Sequence, residues 1–218
     1  MRIVSGRALK TIISTFAEDY GLVYFGYVSQ RDDEHRLVRG LTLSNQHTDS
    51  HYCIGSYEGY DVTFVERADI LKDAAKKSQR SHLWHILAVD LHTATEQPHI
   101  FVGQHTQSES FYLQLFTKFS HMRSLSLGNS AAYPHEFLAQ YRVYGHPSKV
   151  IEIEATLSSL AGEMISKHFG ALAVEVHENV VYVYSENPRL SPQLLEAMIK
   201  NGVWLARHID ENADREVV

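Results

Sequence analysis

The feature that most constrains this chain is residues 51–67, HYCIGSYEGYDVTFVER, where two runs rich in aromatic and β-branched side chains meet at Glu58-Gly59. Gly can take the positive φ of a tight turn, so the segment predicts a β-hairpin. Residues 83–91 and 99–104, joined by the polar run 92–98, predict a second hairpin. Residues 171–175 and 180–184, around His177-Glu178-Asn179, predict a third.

Helical periodicity appears between and around these strands. Ser5 is placed to cap a helix running to about Tyr20, with Leu9, Ile12, Ile13, Phe16 and Ala17 on one face and Gly21 as the stop. Ser108 precedes a short helix carrying Phe111, Leu115, Phe116 and Phe119, and residues 147–168 read as one or two helices ending at Gly170. Ser191-Pro192 opens the last helix, whose apolar face is Leu194, Leu195, Met198, Ile199, Val203, Trp204 and Ile209. Gly202 should weaken that helix by roughly 1 kcal/mol relative to Ala, and residues 211–218 read as a frayed tail. Residues 22–29 predict a strand buried on both faces, 36–44 an alternating strand, 68–81 a solvent-facing helix or an excursion, and 136–144 a strand.

These elements predict an α+β fold of mainly antiparallel sheet, built from hairpins and packed by N-terminal, middle and C-terminal helices. The 218 residues suit one domain, 1–218, or two subdomains, 1–123 and 135–210, joined by the polar stretch 124–134.

Charge and composition narrow the function. Twenty basic against 26 acidic residues leave a net charge of -6, the wrong sign for a phosphate backbone, so no nucleic-acid partner is expected. No stretch approaches the roughly 18 apolar residues of a membrane span, and residues 1–7 lack the apolar run of a secretory signal. Cys53 is the only cysteine, which excludes an intrachain disulfide and suits a reducing, cytoplasmic setting.

Chemistry could sit in the 14 histidines. His47 and His51, His82 and His85, and His99 and His105 are close pairs, but His82 and His85 would face opposite sides of a strand. His51 and Cys53 would share a face, and Cys53 reads as a nucleophile or as a small buried apolar side chain. Asp90 with His92, and Glu175 with His177, have the spacing of a base and its orienting partner in a strand. Phosphate-loop, dinucleotide and nucleophile-elbow motifs are absent from the sequence, and no metal or cofactor set is assigned. Tyr20, Tyr24, Tyr27, Tyr52, Tyr57 and Tyr60 cluster early, where they either edge a sheet or line an interface.

Three stretches, LKTIISTFAEDYGLVY at 9–24, IGSYEGYDV at 54–62 and FLAQYRVYG at 137–145, resemble segments of an uncharacterised bacterial family, a domain of unknown function. Its members often carry transmembrane helices ahead of or within a soluble α+β part, and this chain departs from that pattern in having no such span. The resemblance implies no catalytic residues to carry over. The leading expectation is a bacterial, cytoplasmic, non-catalytic module that binds a protein, a small molecule or a second copy of itself through an aromatic-edged sheet. The alternative is a metal-dependent or acid–base hydrolase using some of His51, Cys53, His82, His85, Asp90 and His92.

Overall fold

A computed structural model describes residues 6–27, 40, 47–73, 78–128, 130–187 and 189–216. The chain opens with helix α1 (Gly6–Asp19), followed by strands β1 (Leu22–Gly26), β2 (His47–Tyr57), β3 (Tyr60–Asp73), β4 (Ser78–Asp90) and β5 (Ile100–Gln104). Helix α2 (Glu109–Leu115) runs into a 3-10 turn and then the short β6 (Arg123–Ser124). After α3 (His135–Gln140) come β7 (Tyr141–Gly145), α4 (Val150–Thr156), α5 (Ser159–Met164), β8 (Ala173–His177), β9 (Val180–Ser185) and the long α6 (Pro192–Glu216).

All nine strands join one antiparallel sheet in the order β1-β2-β3-β4-β9-β8-β5-β7-β6. This is the α+β class read from the sequence. Strands from both sides of residues 124–134 lie in this sheet, and Arg123–Ser124 is itself its edge.

Alternation along the strands builds two apolar layers. One face carries Val62, Phe64, Leu87, Val89, Val102, Val181 and Val183 beneath α1 and α6. The other carries Tyr52, Val65, Trp84, Ile86, Phe101, Tyr144, Tyr182 and Tyr184, covered in part by Tyr112, Leu115 and Phe116 of the α2 segment. A strand such as β4, sandwiched between both layers, must be apolar on both sides. Residues 86–89 (Ile, Leu, Ala, Val) meet that demand, none more than 4% exposed.

The predicted turns form as read. Glu58 and Gly59 join β2 to β3 with φ of 48° and 88°, and Glu178 and Asn179 join β8 to β9 with φ of 51° and 57°. Both central residues have positive φ, the conformation that matches the twist of the flanking strands. Ser108 Oγ accepts from the Phe111 amide, and Ser191 Oγ from the Leu194 amide, as caps.

Other expectations are corrected. Residues 68–73 and 78–81 are neither helix nor excursion; they extend β3 and β4 into one long hairpin with register unbroken from Val62↔Val89 to Asp73↔Ser78. Strand β4 does not pair with β5. It pairs with β3 and β9, while β5 pairs with β7 and β8, because the 92–98 connection leaves the sheet and returns three positions away. Residues 135–140 are helical where a strand was predicted, and the strand starts only at Tyr141. β1 is buried on one face only, since Val23 is 57% and Phe25 56% exposed at the sheet edge. Residues 211–216 continue α6, with Ala213 buried, instead of fraying. The strand expected at 36–44 lies outside the described residues except for Gly40.

Gly202 has a reason that helix propensity alone does not show. A Cβ there would stand 3.0 Å from Leu87 Cδ2 and 3.2 Å from Val183 Cγ2, so α6 lies directly on the sheet at this point. Substituting Gly202→Leu should cost about 1–3 kcal/mol through overpacking, read as a lowered denaturation midpoint. Gly202→Ala should fail to deliver the gain of about 1 kcal/mol that propensity promises.

Candidate functional site

The aromatic face is crossed by a chain of buried polar groups. Asp49 and Arg67 are opposed across β2 and β3, and the guanidinium grips the carboxylate with both arms: Nε to Oδ1 at 2.7 Å and Nη2 to Oδ2 at 2.6 Å. The two side chains are 4% and 0% exposed, and Tyr52 donates to Asp49 Oδ2 at 3.0 Å. Burial alone would depress the guanidinium, but the hydrogen bonds and charge of Asp49 outweigh it and hold Arg67 above its ordinary value. Arg67→Ala should therefore cost about 3–5 kcal/mol by leaving Asp49 buried and uncompensated. The double variant Asp49→Leu/Arg67→Met should recover most of that loss, measured by urea denaturation.

Farther along the same face, fully buried Glu175 on β8 accepts a hydrogen bond from the Tyr184 hydroxyl of β9 at Oε2. Its other oxygen, Oε1, lies 2.8 Å from His99 Nε2. Burial, then the charge of Glu175 and its hydrogen bond, hold the Tyr184 hydroxyl well above its usual range, so it remains a donor. Gly40 is buried against this pair, with no room for a Cβ between its backbone and the Tyr184 and Glu175 oxygens.

His99 begins a row of four imidazoles. Ile100 pairs with Gly145 on one side and Val176 on the other, and Gly145 also pairs with Arg123. The ends of four neighbouring strands thus coincide, and His99, His146, His177 and His121 stand at or beside them. His99 stacks on His177 with ring centres 4.1 Å apart, His121 is 5.6 Å from His99, and His146 is 5.9 Å from His121. Phe119 closes edge-on over His99 and His177. Beside the row opens a cleft of about 610 Å³, lined by Glu96, Gln97, Pro98, His99, His121, His146, Ser148, Lys149 and Glu152.

The electrostatics grade from inside to outside. His177 is lowered by burial and then by His99. His121, on the outer side, is lowered by its partial burial and then by His99, His146 and Arg123. His146 Nδ1 accepts from the Ser148 amide at 3.1 Å and faces Ser148 Oγ at 2.7 Å, which leaves Nε2 as the N–H of the neutral ring. Among the described residues, no three His, Cys, Asp or Glu side chains are arranged to hold a metal ion.

The residues singled out from the sequence scatter. His82 points to the aromatic face, 4.2 Å from the Trp84 ring, whereas His85 stacks on Phe64 on the opposite face and bonds Glu66 Oε2 at 3.2 Å, so the two do not converge. His51 occupies the bulge between β2 and β3 with φ of 58° and bonds Tyr24 Oη at 2.8 Å. Cys53 is fully buried, and burial pushes its thiol up to about 12, which leaves it protonated. His47 lies on β2 opposite Asp69. Asp90 is exposed at the end of β4, while the His92 amide donates to Asp210 and its ring stacks on Tyr60 at 4.3 Å. His105 lies at the far end of β5 from His99, bonded to Arg142. Glu175 does meet a histidine, but His99 from the neighbouring strand end, not His177. Of the tyrosine cluster, Tyr52 and Tyr60 are core, Tyr20, Tyr24 and Tyr57 are partly buried, and Tyr27 is 67% exposed.

A second polar pair sits nearer β3. Burial pushes Glu186 up to about 7 and His82 down to about 4, with Nε2 and Oε2 at 3.6 Å and Gln107 donating to Glu186 at 2.9 Å. Between those values the pair is neutral. A carboxyl raised from 4.5 binds its proton more tightly in the folded state, so the native state loses stability as pH rises from about 4.5 to 7. The lowered histidine adds an opposite loss as pH falls from 6.5 toward 4. Glu186→Gln should remove the first loss: the variant gains stability over the parent above pH 7, and the gain fades by about pH 4.5. Denaturation series at several pH values measure it.

No family model and no curated protein matches this chain. The fold defines the class, an α+β protein with a nine-stranded antiparallel sheet and helices on both faces. That fold is similar to the crystal structure of the mycobacterial trehalose monomycolate transport factor A, TtfA, with a TM-score of 0.60 and 13% identity over 94% of each chain. At that identity the likeness is one of fold. No helix among the described residues is long and apolar enough to cross a membrane.

Proposed function

We propose that this chain is a non-catalytic interaction module of a bacterial cytoplasm, which adds a partner polypeptide to the free edge of its sheet at β1. The observation that carries this reading is the edge itself. Among the described residues β1 pairs only with β2, and it exposes Val23, Phe25 and, just beyond it, Tyr27. A strand edge offers unpaired backbone groups, and large apolar side chains beside it give a partner area to bury. The single cysteine accords with a reducing compartment. The shared fold with a protein titled as a transport factor fits an accessory role, and the suggested membership of an uncharacterised family belongs to the same reading.

A photo-crosslinking residue at position 25 should give a defined adduct in cells, with a second copy or another protein, and the adduct should vanish in a Val23→Lys background. The same residue at position 151, even more open to solvent with Ile151 at 81% exposure, should give none. No adduct at 25, or equal adducts at both sites, would reject the edge as an interface.

A second reading, an acid–base hydrolase, draws support from Glu175 and His99 alone, since a buried carboxylate orienting an imidazole beside a cleft is the geometry of a general base. His99→Gln should then abolish hydrolysis of any substrate found by screening while leaving the fold intact.

A further inference from the structure

The row of imidazoles lies away from the β1 edge, and its surroundings define a ligand of particular chemistry. We propose that the cleft beside it binds a small oxyanion of the phosphate or sulfate class, held by protonated His121 and by the Nε2–H of neutral His146 over His99. The inner wall is prepared for it. His99 has its Nε2 committed to Glu175, while Nδ1 is buried with no hydrogen-bond partner, and the side chain is only 10% exposed. On protonation this nitrogen becomes a donor that the protein itself does not satisfy. His146 already carries an N–H on Nε2, because Ser148 occupies Nδ1.

The surrounding charges favour an anion once the ring cluster is protonated. Arg123 adds fixed positive charge, and of the carboxylates, Glu152 is neutralised by Lys149 at 2.9 Å. Glu175 is occupied by Tyr184 and His99. Glu178 lies 3.8 Å from His177, which leaves Glu96 as the remaining acid on the rim. The charged neighbours that bear on His121 are His99, His146 and Arg123, all cations in their acid forms. Each proton added to the row makes the next harder to add, and an oxyanion among the rings removes that repulsion. Binding is therefore linked to proton uptake and strengthens as pH falls.

Inorganic sulfate is the probe, because its charge is constant across the range. Its affinity, measured by titration calorimetry, should rise at least tenfold from pH 8 to pH 5.5. In histidine-resolved NMR titrations, sulfate should move the His121 midpoint upward and leave His105 where it is. His121→Gln and His146→Gln should each weaken binding at pH 5.5 at least fivefold, with His105→Gln unchanged. Affinity independent of pH, or a His121 midpoint that sulfate does not move, would overturn the site, and the NMR arm reads the native chain should a variant fail to fold. Phosphatidylcholine vesicles doped with phosphatidic acid form the other arm. Competition by sulfate for vesicle binding identifies a headgroup phosphate as the occupant, and sulfate binding without vesicle binding identifies a free oxyanion.

Discussion

The six-residue ladder between β4 and β9, His85↔Ser185 to Asp90↔Val180, is the join on which the molecule depends. On one side of it lies the consecutive meander of β1 to β4; on the other, strands drawn from the rest of the chain in the order 9-8-5-7-6. Because the ladder lies at the centre, both strands are covered on both faces, and their sequences must satisfy two layers at once. Ile86 and Ala88 face the aromatic layer, and Leu87 and Val89 meet α6 at Gly202. Burying four such side chains is worth several kcal/mol, and it also fixes register, since a slip by one residue would exchange the layers.

The same alternation explains why polar groups can run through the aromatic face. Asp49, Arg67 and Glu175 lie on strands whose inward positions are spaced by two, and His99 directly precedes β5, so they meet across neighbouring strands instead of along one. Each member has a counterpart: the Arg67 fork on Asp49, Tyr52 on the same carboxylate, and Tyr184 and His99 on Glu175. Low dielectric makes such pairs costly to break, which ties the core of the sheet to one arrangement.

Local chemistry was legible in the sequence where one residue type has one use. Glu58-Gly59, Ser108, Gly170 and Ser191-Pro192 mark turns and helix ends that the structure reproduces. The misreadings come from pairing at a distance. Residues 68–81 read as a solvent-facing helix or an excursion because a charged stretch of sequence does not show that 68–73 and 78–81 pair with each other. Residues 137–139 carry apolar side chains that serve a short helix as well as a strand, and in the helix Phe137 packs against Tyr133 and Tyr141. The histidine row is the clearest case. His99, His121, His146 and His177 are 22 or more residues apart in sequence, and no spacing rule connects them. What unites them is that each flanks a strand end, a signal readable only once β8, β5, β7 and β6 are known to be neighbours.

The placement of the two tryptophans gives each layer its own optical reporter. Trp84 is 1% exposed in the aromatic layer, ring to ring with His82 and edge-on to Tyr184. Trp204 is partly buried from α6 on the opposite layer and lies parallel to the His208 ring, 5.2 Å away at 7°. An imidazolium quenches indole emission that a neutral imidazole leaves bright. A single fluorescence titration, with either indole replaced by Phe in turn, would therefore resolve proton traffic on the two sides of the sheet separately, without any added dye.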